Sequence, residues 1–166
     1  MVPEDPALAF RPARELRTAA LAILRRERLR LAPLLPGGSE LRLTGATSLP
    51  DALTGGDVDL HLRVPGTAFD SAVGTLRGIY RVVHPEIWLP TLATFALDAP
   101  LPTGIAATPI GSEHDVYFTR SWQLLGSSPE LLGEYNDLKR RHAGGDPQRY
   151  RAAKAEFFAR LVARFA

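Results

Sequence analysis

The chain has 166 residues, of which 45% are hydrophobic and 23% are charged. This length suits one compact domain spanning residues 1–166, and the composition argues against intrinsic disorder. The formal net charge is only +2, which does not favour nucleic acid as a partner. The sequence contains no cysteine, so disulfide scaffolds and thiolate metal sites are excluded.

The N-terminal sequence carries no sign of export. It reads MVPEDPALAF, with two acids and two prolines and no basic segment before an apolar core, unlike a secretion signal. No apolar run in the chain approaches the roughly 20 residues of a membrane-spanning helix. We therefore expect a cytoplasmic protein with no membrane partner.

The predicted elements alternate helices with short strands. Helix formers with apolar residues at helical spacing open the chain, and Pro33 ends this first helix. The second half of this helix has an arginine-rich stretch, which we interpret as a solvated face rather than a phosphate site; it consists of Arg25, Arg26, Arg28 and Arg30. In chain order we predict helix 13–32, strand 41–44, a loop over 47–56 with at most one helical turn, strand 58–64, helix 69–80, strands 94–97 and 105–108, helix from 116 onward, helix 130–142 and a last helix after 147.

Two local signals support the C-terminal helices. Ser128 followed by Pro129 is typical of a helix start, because serine caps the helix and proline fits its first turn. The last helix carries an apolar stripe, which we expect to pack on its own domain rather than on a partner. The stripe consists of Tyr150, Ala153, Phe157, Phe158, Leu161, Val162 and Phe165. The whole pattern predicts an α+β fold in which helices flank a small mixed β-sheet.

The strand at residues 58–64 carries the first chemical signal. Alternation places Asp59, His61 and Arg63 on one face, which we predict to lie away from the core. Asp57 and Asp59 are two residues apart, so their carboxylates lie on the same side of the strand. Two carboxylate charges at such a short separation repel each other unless they share a cation. We expect Mg²⁺, or Mn²⁺, because hard divalent ions prefer carboxylate and phosphate oxygens.

A glycine turn precedes this carboxylate pair. Gly45 would let the backbone approach a phosphate closely, and the hydroxyls of Thr47 and Ser48 can donate to phosphate oxygens. In phosphoryl and nucleotidyl transfer the protein mainly positions groups and neutralises charge. A metal-binding pair beside a phosphate cradle suits that reaction.

These features resemble a known family. A glycine turn followed by an Asp-x-Asp strand resembles the pattern of the polymerase-β-like nucleotidyltransferases. Within that superfamily, Gly-Ala-Thr-Ser-Leu-Pro at residues 45–50 resembles the Gly-Ser-Thr-Ser-Val-Pro signature of the GrpB family. The C-terminal third follows the order and spacing of further GrpB elements at Pro129-Glu130, Glu134-Tyr135, Leu138-Lys139 and Tyr150, Lys154 and Phe157. The resemblance implies a nucleotidyltransferase-like fold with C-terminal helices.

The resemblance also implies a set of site residues. Asp57 and Asp59 would be the catalytic residues and the metal ligands. The residues that would bind the nucleotide are Gly45, Ala46, Thr47, Ser48, Lys139 and Lys154. For the two lysines, the alternative interpretation is a solvated charge on a helix surface. The expected ligand is an NTP or a related nucleotide.

The chain departs from the GrpB pattern at several positions. Ala46 stands where the family has serine, Ala106-Ala107-Thr108 where it has a His-x-His strand, and Ser121-Trp122-Gln123 where it has Phe-Arg-Asp. A complete site commonly uses a third carboxylate as the base. Asp98 and Asp115 are the available acids, and both also suit ordinary turn or cap roles.

The remaining polar and aromatic candidates are interpreted as structural. We expect His61 to be a surface histidine on its strand and His84 and His114 to be isolated. Trp88 and Trp122 are expected to be packing residues.

Three functional hypotheses remain open. The leading one is a metal-dependent nucleotidyltransferase that moves a nucleoside monophosphate from an NTP to an unknown small-molecule or protein acceptor. The second is a catalytically silent domain of the same fold that binds a nucleotide or coenzyme and acts as a sensor or partner module. The third is the nucleotidyltransferase of a toxin–antitoxin pair, acting on a partner protein.

Overall fold

The structure, a computed structural model, describes residues 7–165. Over this range the chain forms five α-helices and seven β-strands, joined in places by short 3₁₀ turns. The helices are α1 (Arg17–Leu31), α2 (Phe69–Arg77), α3 (Glu113–Ser127), α4 (Pro129–His142) and α5 (Pro147–Val162). The strands are β1 (Arg11–Pro12), β2 (Glu40–Thr44), β3 (Leu53–Thr54), β4 (Val58–Val64), β5 (Arg81–Val82), β6 (Ala93–Leu97) and β7 (Thr103–Pro109). The predicted α+β fold is confirmed.

The central sheet has five strands in the order β2-β4-β7-β6-β5. β4 and β7 run parallel, whereas the other neighbouring pairs are antiparallel, so the sheet is mixed as predicted. A separate two-stranded sheet joins β1 and β3. The register places Asp59 of β4 between Thr44 of β2 and Gly104 of β7, so its two cross-strand neighbours come from two different strands.

One face of the sheet packs on α1 and α2 and forms the main core. Alternate residues of β4 point into it because successive strand residues face opposite sides of a sheet. They are Val58, Leu60, Leu62 and Val64, each at most 1% exposed. They meet Ile23 and Leu24 of α1 and Leu76 of α2 in a single cluster of buried residues. Burial of this apolar surface is the main source of stability on this side.

The three C-terminal helices form a second core. Its buried members include Leu125 of α3, Tyr135 of α4 and Phe157 of α5. The predicted packing of the last helix on its own domain is therefore confirmed. The predicted cap is also present, since the Ser128 hydroxyl accepts a hydrogen bond from the Leu131 N–H at 3.3 Å.

The prediction that Asp59, His61 and Arg63 lie on a face away from the core is wrong for His61. This side chain is 2% exposed. Its Nε2 lies 2.8 Å from Thr108 Oγ1, and its ring lies edge-on to Phe118 of α3, with 5.2 Å between ring centres. Burial is the largest influence on the His61 pKa and lowers it to about 4. The alternation identified the face correctly, but it could not show that α3 covers it.

Of the other expectations about polar residues, the one for the α1 arginines is confirmed and the one for His114 is wrong. The α1 arginines are exposed, as predicted, but they also make specific contacts. Arg26 Nε donates to Glu27 at 2.7 Å, and Arg28 Nε donates to the Leu41 carbonyl at 2.9 Å. His114 is not isolated, because its Nδ1 lies 2.6 Å from a threonine hydroxyl at position 91.

Within residues 7–165, none of the helices has the length and apolar character needed to cross a membrane.

Candidate functional site

A cleft opens between the central sheet and the C-terminal helices. Its volume is about 600 Å³, within the range of small-molecule sites. It is lined by the turn after β2, by β4, β6 and β7, and by α3 and α5. Gly45, Asp57 and Asp59 all belong to this lining. The predicted carboxylate pair and glycine turn therefore share one cavity.

Gly45 packs directly against Asp59. Its φ angle of 68° lies in the left-handed region that favours glycine. A Cβ atom at this position would overlap the Asp59 carboxylate and would lie only 3.1 Å from its Cγ. Glycine is therefore required both by the backbone conformation and by the close approach of the carboxylate.

The surroundings of Asp59 disfavour ionisation of its carboxyl group. It is open to the cleft, but protein atoms crowd it, and this desolvation raises its pKa. The positive charge of Lys154 lowers the pKa, the negative charge of Asp57 raises it, and Lys139 lowers it, with a net upward direction. A hard divalent cation would favour the ionised form of both carboxylates, so the pair fits such an ion.

The protein supplies only part of a metal coordination shell here. Among the residues that the structure describes, no three or more His, Cys, Asp or Glu side chains are grouped to hold a metal ion. Asp57 and Asp59 offer two carboxylates, whereas Mg²⁺ prefers six oxygen ligands. The pair suits an ion that takes its other ligands from water and from the phosphates of a nucleotide.

The hydroxyls of the glycine turn are not directed into the cleft. Of residues 45–48, only Gly45 lines it. Thr47 is 1% exposed, and its hydroxyl has no hydrogen-bond partner within the described part of the chain. Ser48 Oγ donates to the Gly45 carbonyl at 2.6 Å, and Ala46 has no hydroxyl. Phosphate binding by this turn, which stays a prediction, would use its backbone N–H groups.

The two predicted lysines occupy different positions. Lys154 lines the cleft together with Asp57 and Asp59, where an ammonium group can neutralise phosphate charge. Lys139 does not line it and is 2% exposed. The interpretation of Lys139 as a solvated charge is therefore wrong.

Lys139 is a buried cation held by its own chain. Its Nζ donates to the Leu53 carbonyl and lies 4.1 Å from the centre of the Tyr135 ring. Desolvation and then the charge of Lys154 lower the pKa of Lys139, Asp59 opposes them, and the net pKa is about 7. Lys139 thus influences the carboxylate site by its charge and by its hold on the backbone.

Asn136 of α4 holds the same backbone segment and was not identified from the sequence. Its Oδ1 accepts from the Leu53 N–H at 2.8 Å, and its Nδ2 donates to the Asp51 carbonyl at 2.9 Å. Lys139 donates to the Leu53 carbonyl, so α4 binds both the N–H and the carbonyl group of Leu53. Leu53 lies four positions before Asp57. The spacing of Asn136 and Lys139, three apart on one helix face, was the only signal in the sequence.

The described sheet places no third carboxylate beside Asp59. Its partner on the neighbouring strand β7 is Gly104. Asp115 is 2% exposed and is bound by Arg63 through hydrogen bonds of 2.6 and 2.9 Å. Burial raises the Asp115 pKa, but its hydrogen bonds to Arg63 and to the Gly111 N–H make the net direction downward. Asp98 is exposed, and neither acid lines the cleft.

Aromatic side chains of α3 and α5 form one wall of the cleft. They are Tyr117, Phe118, Trp122 and Phe158. The Trp122 ring lies 5.6 Å from the Phe158 ring and 6.1 Å from that of Tyr135, measured between centres. Its predicted packing role is therefore confirmed, but it also faces the cavity. Sequence reasoning missed this wall because its members come from two helices that are far apart in the chain.

Comparisons with known proteins address the fold. No family model matches the chain. The chain is 27% identical over 156 residues to a UPF0157 protein of Vibrio cholerae serotype O1, an alignment that covers 93% of this chain and 82% of that relative. The structure of this chain is similar to that of the conserved protein GrpB from Enterococcus faecalis, with a TM-score of 0.67 and 15% identity. The match covers 89% of this chain and 94% of the GrpB chain.

Two further solved structures share the fold over a smaller part of their length. One is the Cid1 poly(U) polymerase with Mg 3′-dATP bound, with a TM-score of 0.53, 14% identity and coverage of 75% of this chain and 39% of that one. The other is a chain of a GLD-2/RNP-8 complex, with a TM-score of 0.52, 16% identity and coverage of 76% and 51%. The chain spans about half or less of these proteins. The expected GrpB-like, nucleotidyltransferase-type fold is confirmed.

Proposed function

We propose that the chain binds a nucleoside triphosphate with a divalent cation in this cleft and transfers the nucleoside monophosphate to a hydroxyl group of a small-molecule or protein acceptor. The observation that carries the proposal is the meeting of Asp57, Asp59 and Lys154 in one cleft. Two anionic groups suit the cation, and one cationic group suits the phosphates. The polymerase-like fold supports the same proposal.

Each residue has a separate role in this proposal. Asp57 and Asp59 hold the cation, and Lys154 binds phosphate oxygens. Gly45 keeps the space beside the Asp59 carboxylate free of a side chain. When bound, Mg²⁺ or Mn²⁺ neutralises charge on the phosphates and orients them.

The transfer is a substitution at phosphorus. The acceptor's hydroxyl oxygen forms a bond to the α-phosphorus, and the bond between that phosphorus and the oxygen leading to the β-phosphorus breaks. Pyrophosphate leaves with the bonding electron pair, and the hydroxyl proton passes to water in the open cleft. A positioned base contributes a factor of roughly 10²–10⁴, so we expect slow turnover with Gly104 in the place beside Asp59.

A second candidate function is favoured by that same glycine. If the absence of a carboxylate at Gly104 abolishes transfer, the domain is a silent nucleotide-binding module that acts as a sensor or a partner. Binding would then persist without release of pyrophosphate. The two candidates share the binding site and differ only in turnover.

Calorimetric titration tests the shared site. The ligand is the adenosine triphosphate analogue with a methylene group between the α- and β-phosphorus atoms, with and without Mg²⁺ or Mn²⁺. We expect metal-dependent binding by the natural protein. In the Asp57→Asn, Asp59→Asn double variant we expect at least a tenfold loss of affinity, because this variant lacks both carboxylates that would hold the cation.

A matched control removes two acids elsewhere. Asp70 and Asp137 are exposed, so the Asp70→Asn, Asp137→Asn variant has the same change in net charge and should bind normally. Equal binding by both double variants would refute the proposed site. Pyrophosphate release from ATP, measured with small-molecule and protein fractions of a cell extract as acceptors, then separates the transferase from the silent module.

A further inference from the structure

Four small residues of β6 and β7 form a flat area of the cleft. In the register, Ala96 pairs with Gly104 and Thr94 pairs with Ala106, and paired residues point to the same face of a sheet. All four are half-buried, whereas their neighbours along both strands are buried in the core. We call these four residues the shelf.

The shelf has the dimensions of a planar ring system. Neighbouring strands lie about 4.8 Å apart, and alternate residues along a strand lie about 6.7 Å apart. None of the four shelf side chains is larger than threonine, and all four line the cleft. A flat ring can therefore lie against the backbone over the whole shelf.

The aromatic wall and the shelf line the same cavity. Tyr117 and Trp122 of α3 line the cleft together with all four shelf residues. Phe118 is positioned by its edge-on contact with the His61 ring, with 5.2 Å between centres. A ring on the shelf would thus share one cavity with these aromatic side chains.

The shelf adjoins the carboxylate site. Gly104 is the direct partner of Asp59, and Ala96 is one strand further on, so it lies about 10 Å from Asp59. This separation matches the reach from the phosphates of a nucleotide to its base. The shelf therefore begins where the proposed metal and triphosphate site ends.

We propose that the shelf is the binding site for the heteroaromatic base of the nucleotide, a subsite that rests on the proposed triphosphate site. The base stacks between the small residues and the aromatic wall. Thr94 contributes surface rather than a hydrogen bond to the base, because its hydroxyl already donates to the Val83 carbonyl at 2.6 Å and accepts from Trp88 Nε1 at 3.0 Å. Binding at the shelf thus depends on contact area and stacking.

The experiment compares a nucleotide with its phosphates alone. Calorimetry measures binding of the α,β-methylene analogue of ATP and of inorganic tripolyphosphate, both with Mg²⁺. Stacking of one base contributes about 1–3 kcal/mol, which is about fivefold to 150-fold in affinity, so we expect the nucleotide to bind at least about fivefold more tightly than tripolyphosphate. This comparison needs only the natural protein.

A variant then locates the base. Ala96→Leu places a branched side chain on the shelf, and we expect it to reduce nucleotide affinity to within about threefold of that for tripolyphosphate, with tripolyphosphate affinity unchanged. Ala159→Leu makes the same change on an exposed part of α5 and should alter neither affinity.

The outcomes separate the subsite from the proposed function. Equal affinity of the natural protein for the two ligands would overturn the shelf and leave the triphosphate site in place. Undiminished nucleotide binding by Ala96→Leu would also overturn it. Failure of both ligands to bind the natural protein would remove the proposed function, and the subsite with it.

Discussion

Replacing Lys139 by methionine should change how the stability of the protein depends on pH. The ammonium group is buried against Tyr135 and donates to the Leu53 carbonyl. Desolvation and then the charge of Lys154 lower its pKa to about 7, from an ordinary value of 10.5. Methionine has a similar length and no ionisable group, so the variant removes this titration.

The direction of the effect follows from where the proton is bound. Between pH 7 and 10.5 the unfolded chain keeps the Lys139 proton, whereas the native chain has lost it. The free energy of unfolding therefore rises with pH across this window. For one site with these two pKa values, the increase from pH 7 to pH 9 is about 2 kcal/mol. The Lys139→Met variant should lack this increment.

Urea unfolding of both proteins at pH 7, 8 and 9 provides the measurement. The free energy of unfolding of the natural protein, minus that of the Lys139→Met variant, should increase by about 2 kcal/mol from pH 7 to pH 9. Titrations common to both proteins cancel in this difference. The control is Arg140→Met, which removes an exposed cation at the next position of α4 and should leave the pH dependence unchanged.

A constant difference between pH 7 and pH 9 would refute the reasoning. It would mean that Lys139 keeps its proton in the native protein and that its burial is compensated. A decrease with pH would contradict the sign of the shift. The overall stability of the variant at any single pH does not bear on this test, because methionine also removes the hydrogen bond to Leu53.

Two further predictions concern the carboxylate site. Gly45→Ala should weaken Mg²⁺-dependent nucleotide binding by at least about tenfold, because the added Cβ overlaps the Asp59 carboxylate; calorimetry checks this, and unchanged affinity would show that the carboxylate is not a ligand. Gly104→Asp should increase Mn²⁺ affinity by supplying a third carboxylate beside Asp59. An added Cβ there has only an ordinary contact at 3.6 Å, and Gly104→Asn, which has the same shape without the charge, should show no gain.

Local sequence patterns predicted most of the secondary structure. The alternation at residues 58–64 coincides with β4, and Ser128 caps α4 as expected. Such signals depend on residues close together in the chain, since caps and periodicity act within one element. The short strands β1 and β3 were missed because two residues carry no period.

The candidate site was only partly predictable. The Asp-x-Asp spacing and the glycine turn identified Asp57, Asp59 and Gly45, which the structure brings into one cleft. The aromatic wall and the shelf have no local pattern, because each combines small or aromatic residues from separate elements. Only the strand register brings Gly104 beside Asp59.

The sequence by itself determined most of the elements, the face that carries the carboxylates and the kind of fold. Tertiary structure decided which polar groups are buried. His61 was predicted to lie on the surface, but α3 covers it. Lys139 was expected to bind the nucleotide, with a solvated charge as the alternative, but it is buried and donates to the Leu53 carbonyl. The physical reason is that burial depends on packing between distant segments: Asn136 binds a backbone carbonyl 85 residues earlier in the chain, and no local pattern encodes a contact at that separation.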